Sequence, residues 1–257
     1  MNIVVCVKQI PDPAAPQSFD ASNNLNRSGK LILDDADTYG VEMALQLVDK
    51  AGGGEVTVVS MGSGADVAGL RNALAMGASQ AVIVSDESLR GSDALSTAKV
   101  LAAVVRRNPF DLVLAATESS DGYTGTMPVQ LAELLGLPSI TFAKAVTVEG
   151  STLNVSRQTE AGYDEVTATL PALVTVTAGV VEPRYASFKG IMAAKSKPLE
   201  VLTWGWRARL APPTRARPLP RYRRPRVAKP ARSTSTTETG RRRLSRSSNQ
   251  SRSSRRS

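Results

Sequence analysis

Histidine is absent from this 257-residue chain, and cysteine occurs once, at Cys6. Those absences exclude a His-dependent catalytic triad, an internal disulfide framework and the usual His/Cys zinc sites. A lone thiol also fits a reducing compartment, so a bacterial cytoplasm is the expected location. No apolar run approaches the ~20 residues a membrane span needs. The opening Met1–Lys8 lacks a charged n-region and a cleavage site, so it reads as a buried strand and not as a signal peptide. Aromatics are scarce at 4%, yet hydrophobic residues reach 42%, enough for one sizeable core.

The net charge of +9 averages two unlike sequences. Residues 204–257 hold 17 of the 32 Lys/Arg and one acidic residue, Glu238. That leaves 15 basic and 22 acidic residues in 1–203, a net of −7. The division predicts a folded body over 1–203 and a basic tail over 204–257. The tail shows neither helical nor strand periodicity and has too few apolar residues to offset ordering entropy.

Within the body, short apolar β-rich runs alternate with amphipathic segments. Ile3–Val7, Val56–Ser60, Ala81–Val84 and Leu112–Ala115 read as strands covered on both faces. Tyr39–Asp49, Ala65–Met76 and Ser92–Arg107 read as the intervening helices, the second ending at Gly77 and the third starting from a Ser92 cap. Such βα units predict an α/β fold with a doubly wound, mostly parallel sheet. After Pro138 the texture changes. Val146–Val148, Thr152–Gln158, Glu165–Thr169 and Leu173–Thr177 predict a small antiparallel elaboration that returns a strand to the sheet.

Ligands of an open parallel sheet sit outside the carboxyl ends of the strands, where strand order reverses. The first and fourth strands are the expected switch pair, which brings Cys6 and Lys8 beside Ala116–Gly125. That loop offers Thr117, Glu118, Ser119, Ser120, Asp121, Gly122, Tyr123 and Thr124 ahead of a helix. Hydroxyls, glycine and unpaired helix N–H groups are the parts of a phosphate cradle. A plain polar loop fits the same spacing. Met61-Gly62-Ser63-Gly64-Ala65 lacks both the GxGxxG spacing and a Walker lysine, and reads as a tight turn. Asp34, Asp35, Ala36 and Asp37 form either a metal cluster or an acidic helix cap, and without His or Cys ligands the cap is favoured. Cys6 reads as a small buried strand residue with no base to activate it.

One segment stands apart. In Glu182-Pro183-Arg184-Tyr185-Ala186-Ser187-Phe188-Lys189-Gly190-Ile191-Met192 and the basic run to Lys197, large apolar residues lie between positive charges after a rigid proline. It resembles the partner-recognition loop of the electron transfer flavoprotein beta subunit. So do Val4–Asp12, Arg71-Asn72-Ala73-Leu74-Ala75-Met76-Gly77-Ala78, the Thr117–Gly125 loop, and Leu170–Val176, in order over residues 1–203. The resemblance implies the adenine-nucleotide alpha-hydrolase fold and a heterodimer with an alpha subunit that carries most of the FAD site. It implies an electron carrier without turnover chemistry, moving electrons from acyl-CoA and related dehydrogenases toward a quinone oxidoreductase, as in fatty acid oxidation. It further implies a structural AMP touched by Cys6 and by Asp34, Asp35, Ala36 and Asp37. Met61 then lies near the adenine, and Thr117 through Thr124 surround the phosphate. Asp34–Asp37 departs from the family's commoner Asn-Pro-hydrophobic pattern. Phe188 takes the place of the family's usual leucine anchor for partners. Arg184, Tyr185, Lys189, Ile191 and Met192 lie around it, the last two either supporting the anchor or facing this protein's own core.

The resemblance stops after Val201-Leu202-Thr203, where the family continues into an acidic segment and a docking helix. The Arg/Pro/Ala/Ser mixture that follows is what a GC-rich gene encodes out of frame, so residues 204–257 read as a frameshift product. A native tail binding nucleic-acid phosphates nonspecifically is the rival. A stand-alone nucleotide-binding regulator of the universal-stress type shares the fold, but has no need of the Glu182–Met192 segment.

Overall fold

Successive residues of the first strand, β1 (Asn2–Cys6), point into different cores: Ile3 and Val5 into one, Val4 and Cys6 into the other. That explains its unbroken apolar run, since a strand covered on both faces has no polar side. The computed structural model describes residues 1–21, 23–62, 66–203 and 205. After β1 come β2 (Gln9–Pro11), β3 (Leu31–Leu33), α1 (Asp35–Lys50), β4 (Glu55–Gly62), α2 (Ala68–Met76), β5 (Gln80–Ser85) and α3 (Ala94–Val105). Then follow β6 (Leu112–Ala116), α4 (Met127–Leu135), β7 (Ser139–Glu149), β8 (Thr152–Thr159), β9 (Gly162–Thr169), β10 (Ala172–Val176), α5 (Phe188–Ala194) and β11 (Leu199–Leu202).

Nine strands form one sheet in the order β11-β5-β4-β1-β6-β10-β7-β8-β9. Every pair from β11 across to β7 is parallel, while β7, β8 and β9 run antiparallel. The expected α/β sheet is therefore present, and so is the antiparallel excursion that returns a strand, β10, to the parallel part. Helices α1 and α2 cover one face, and α3 and α4 the other. The chain moves outward from β1 through β4 to β5, then crosses to β6 on the other side of β1. The switch point lies between β1 and β6, the first and fourth of the expected strands.

Local chemistry shifts several boundaries. Asp93, not Ser92, caps α3, its carboxylate accepting from Ser96 N–H at 2.7 Å. Helix α2 begins at Ala68, after Asp66 accepts from Ala68 N–H at 2.8 Å. It does end at Gly77, whose φ of +142° few other residues adopt. Ser63, Gly64 and Ala65 of the expected tight turn lie outside the described residues. So do Trp204 and residues 206–257, which make up the basic tail apart from Gly205.

Candidate functional site

The carboxyl ends of β1, β4 and β6 open together, with Cys6 level with Val59 on one side and Ala115 on the other. Helix α1 starts at this edge because Asp34 caps it: the carboxylate accepts from Ala36 N–H at 3.1 Å. The same buried carboxylate accepts from Ser120 N–H at 2.7 Å and from Ser120 Oγ at 3.0 Å. One side chain thus fastens the loop after β6 to the start of α1. One helical turn on, Asp37 accepts from Lys8 N–H at 2.6 Å. Burial pushes the Asp37 carboxyl well above the usual carboxylate range, and the Asp34 charge adds to this against hydrogen bonds from Lys8 and Ala116 N–H. Burial, with Asp37 nearby, likewise pushes the Cys6 thiol up to about 12. Cys6 is the small, inert strand residue that its sequence setting suggests.

Above this floor lies a cationic rim. Lys8 Nζ donates to Ser119 Oγ at 3.2 Å and to Asp121 Oδ1 at 2.6 Å. Arg27, from the excursion between β2 and β3, pairs with the other Asp121 oxygen. The Asp121 side chain is only 5% exposed, whereas Lys8 and Arg27 remain 40% and 36% exposed. Burial alone raises the Asp121 pKa, but Lys8 and then Arg27 outweigh it and hold the carboxyl below its ordinary range. Two cations share one carboxylate, so a positive charge is left over at the mouth.

Gly122 occupies the lip of the loop. A Cβ built there lies 3.6 Å from Ser119 Oγ, 3.8 Å from Lys8 Nζ and 3.9 Å from Thr124 Oγ1. Hydroxyls and an ammonium converge on a spot that a larger residue begins to fill. Tyr123, exposed and at a φ of +48°, makes the sharp turn that follows. Helix α4 then begins at Met127, after Thr126, whose side chain makes no cap; Pro128 has no N–H, so Met127 and Val129 are the first-turn donors left for an anion.

Not every expected residue joins this group. Thr117 faces the sheet, its hydroxyl donating to Val176 C=O at 3.2 Å. Glu118 is exposed, with Oε2 3.3 Å from where a Cβ would stand on Gly125. Asp35 is exposed on the first turn of α1, while Ala36 spends its N–H on Asp34. Met61, next to last in β4, is half-buried against the core shared with α3 and α4. Among the described residues, no group of three Asp, Glu or Cys is placed to hold a metal ion. Arg27 escaped the sequence reading altogether, because its partner lies 94 positions away and its own segment carries no periodicity. A recess of about 640 Å³ lies at the opposite end of the sheet, beside Met1 and Pro171. Asp111, on its wall, is spent on Asn2 N–H at 2.7 Å.

The segment 182–197 forms a second surface. Arg184 turns inward, Nε and Nη2 donating to the buried Glu42 carboxylate of α1 at 2.6 and 3.1 Å. Ser187 caps α5 by accepting from Gly190 N–H at 3.0 Å. Tyr185 and Phe188 are 95% and 80% exposed, and Ile191 and Met192 are half exposed. Lys189 is exposed beside them. Of α5 only Ala194 enters the core, so Ile191 and Met192 are not core residues of this chain. No described helix is long and apolar enough to cross a membrane.

A model of the electron transfer flavoprotein domain matches residues 23–204. The electron transfer flavoprotein subunit beta of Mycobacterium tuberculosis is 40% identical over 209 residues, 79% of either chain. That of Clostridium acetobutylicum is 38% identical over 205 residues, covering 79% of this chain and 78% of its own. That of Bacillus subtilis is 36% identical over 203 residues, 79% of either chain.

Proposed function

This chain belongs to the electron transfer flavoprotein family, and from that premise we propose that it is the beta subunit of a two-chain electron carrier. Its task is to hold AMP at the β1/β6 switch point, complete the FAD site of an alpha subunit, and dock dehydrogenases through α5. The observation that carries the nucleotide assignment is the surplus cation at the mouth, where Lys8 and Arg27 share Asp121 over the Gly122 lip. The residues fit a nucleotide monophosphate. Lys8 Nζ, Ser119 Oγ and Thr124 Oγ1 face one point, and the uncapped start of α4 adds backbone donors.

FAD supplies the redox chemistry when bound; the residues of this chain position and dock. Asp34 and Asp37 fix the loop and the end of β1 so that Lys8 meets the phosphate in one geometry. Phe188, raised on α5 with Tyr185 beside it, enters an apolar pocket on acyl-CoA or related dehydrogenases. A central anchor within a charged rim is the usual form of an interaction hot spot. Electrons then pass on toward a quinone oxidoreductase of the respiratory chain. The exposed α5 disfavours a stand-alone universal-stress-type regulator, which has no use for such a ridge. Residues 204–257 we assign to a frameshift near codon 203, a reading supported by a family match that ends at residue 204. Sequencing the locus tests it, and a continuous reading frame with Arg/Ser-rich tails in close relatives overturns it. Salt-sensitive nucleic-acid binding lost on deleting 204–257 supports a native basic tail instead.

Co-expression with the alpha subunit, followed by denaturation and chromatography of released nucleotides, tests the main reading. A yellow heterodimer with one FAD and one AMP is expected. A complex holding neither nucleotide, or no complex from a chain with a family-like C-terminus, overturns it.

A further inference from the structure

Helix α5 has seven residues, too few to hold together alone in water, and only Ala194 enters the core. What keeps it folded is an exchange of cations with α2. Arg71 Nη1 donates to two carbonyls at the end of α5, Ala194 C=O at 2.6 Å and Lys197 C=O at 3.0 Å. Lys197 Nζ returns the contact to the end of α2, donating to Leu74 C=O at 2.9 Å and Ala78 C=O at 2.7 Å. Arg71 of α2 thus sits on carbonyls at and just past the end of α5, and Lys197, three residues past α5, on carbonyls at and just past the end of α2, where a cation is electrostatically favoured. The two helices also meet at backbone distance: a Cβ on Gly190 lies 2.4 Å from Ala75 C=O. Its two hydrogen bonds hold Lys197 in the contact, where burial pulls the ammonium below its ordinary pKa, while Lys189 and Lys195 stay exposed.

We propose that Arg71 and Lys197 are positioning residues for partner docking: by locking α5 onto α2 they present Tyr185, Phe188, Ile191 and Met192 as a preformed ridge. Neither residue needs to touch the partner. A ridge already ordered forgoes the entropic cost of ordering on contact, which suits a carrier that must bind and leave quickly. At its other end the segment is held by Arg184 on Glu42, so it is fixed both before and after the exposed residues. This inference rests on the docking role proposed above for α5.

The test uses the FAD-loaded heterodimer as electron acceptor for an acyl-CoA dehydrogenase reduced by its acyl-CoA, with acceptor concentration varied. Amide exchange over residues 188–194 is followed in the same samples. Arg71→Met and Lys197→Met are each expected to raise KM for the acceptor roughly 10-fold with kcat little changed, and to speed exchange in α5. Arg71→Lys, which keeps one donor, is expected to restore part of the loss. Phe188→Ala is expected to raise KM without altering exchange. If the Met variants leave KM unchanged while Phe188→Ala raises it, docking stands and the positioning role is overturned. If Phe188→Ala leaves KM unchanged, the docking role itself falls, and the inference with it. Should Arg71→Met fail to fold, Lys197→Met at its half-exposed position carries the same test.

Discussion

Asp34→Ala removes one acceptor from three donors at once, Ala36 N–H, Ser120 N–H and Ser120 Oγ. Losing the cap of α1 costs about 1 kcal/mol. Leaving the half-buried Ser120 N–H without a partner adds about 1–2 kcal/mol, while its hydroxyl can turn to water. The removal of a buried charge returns part of this, because the Asp34 carboxylate disfavours the ionised form of Asp37. The expected net loss is about 2 kcal/mol. With a urea slope of about 2 kcal/mol per molar, the unfolding midpoint falls by about 1 M. Asp34→Asn can keep its oxygen where Oδ1 accepts from Ala36 N–H and Ser120 Oγ, but sets an amide NH2 against the Ser120 N–H, and is expected to lose about half as much. AMP retention should fall with Asp34→Ala more than stability alone requires, since the loop after β6 loses its tie to α1. A midpoint shift below about 0.3 M at unchanged slope, or equal losses for the Ala and Asn variants, refutes the reasoning.

Other perturbations separate the remaining parts. The Asp37 pKa is raised on folding, so the native state holds a proton that the unfolded chain releases. Stability should therefore fall as pH rises from the ordinary carboxylate range toward the raised value, and Asp37→Asn should not show that fall. Parallel pH dependences of the urea midpoint would sink the assignment. Cys6, buried and pushed to about 12, should resist iodoacetamide at pH 8 until the protein unfolds; stoichiometric labelling of native protein contradicts this. Burial raises the Glu42 pKa, but hydrogen bonds from Arg184 and Gln46 more than reverse it. Its contribution is present above the ordinary Glu value and is lost as pH falls through the depressed one. Glu42→Ala should cost about 1–2 kcal/mol, moderated by the exposure of Arg184, and should speed proteolysis after Arg184; unchanged proteolysis speaks against a clamp. Arg27→Gln should weaken AMP roughly 10-fold and adenosine hardly at all, as read by calorimetry; equal losses for both ligands remove Arg27 from the phosphate site.

The central parallel strands β1, β4, β5, β6 and β10 were legible because they lie under helices on both faces and so carry nearly unbroken apolar runs. The three-residue strands β2 and β3 carry too little pattern to read, and Pro11 argues against a strand at all. Strand β11 hides for a related reason: it is an edge strand whose Glu200 faces Arg107, so its sequence does not look buried. Helix α5 does carry apolar residues at helical spacing, Phe188, Ile191 and Met192, but it is only two short turns and that face points outward instead of into the core. In the acidic run before α1, sequence suggested four equivalent contacts. The helical repeat decides among them: Asp34 and Asp37, three apart, turn inward, and Asp35 turns to water.

Charge explains why the two surfaces depend on so few side chains. The body carries a net of −7, so an approaching anion meets repulsion almost everywhere. At the switch point that field must be reversed locally. Three acidic groups there are buried and committed, Asp121 to two cations, Asp34 to Ser120, and Asp37 held above the carboxylate range, while Glu118 and Asp35 are exposed. Lys8 and Arg27 are the partly exposed cations that face the loop. The proposed phosphate site thus rests on two residues from the chain's first 27 positions folding over a loop almost a hundred residues later. A loop motif by itself, read in isolation, omits the charge on which the proposed binding depends.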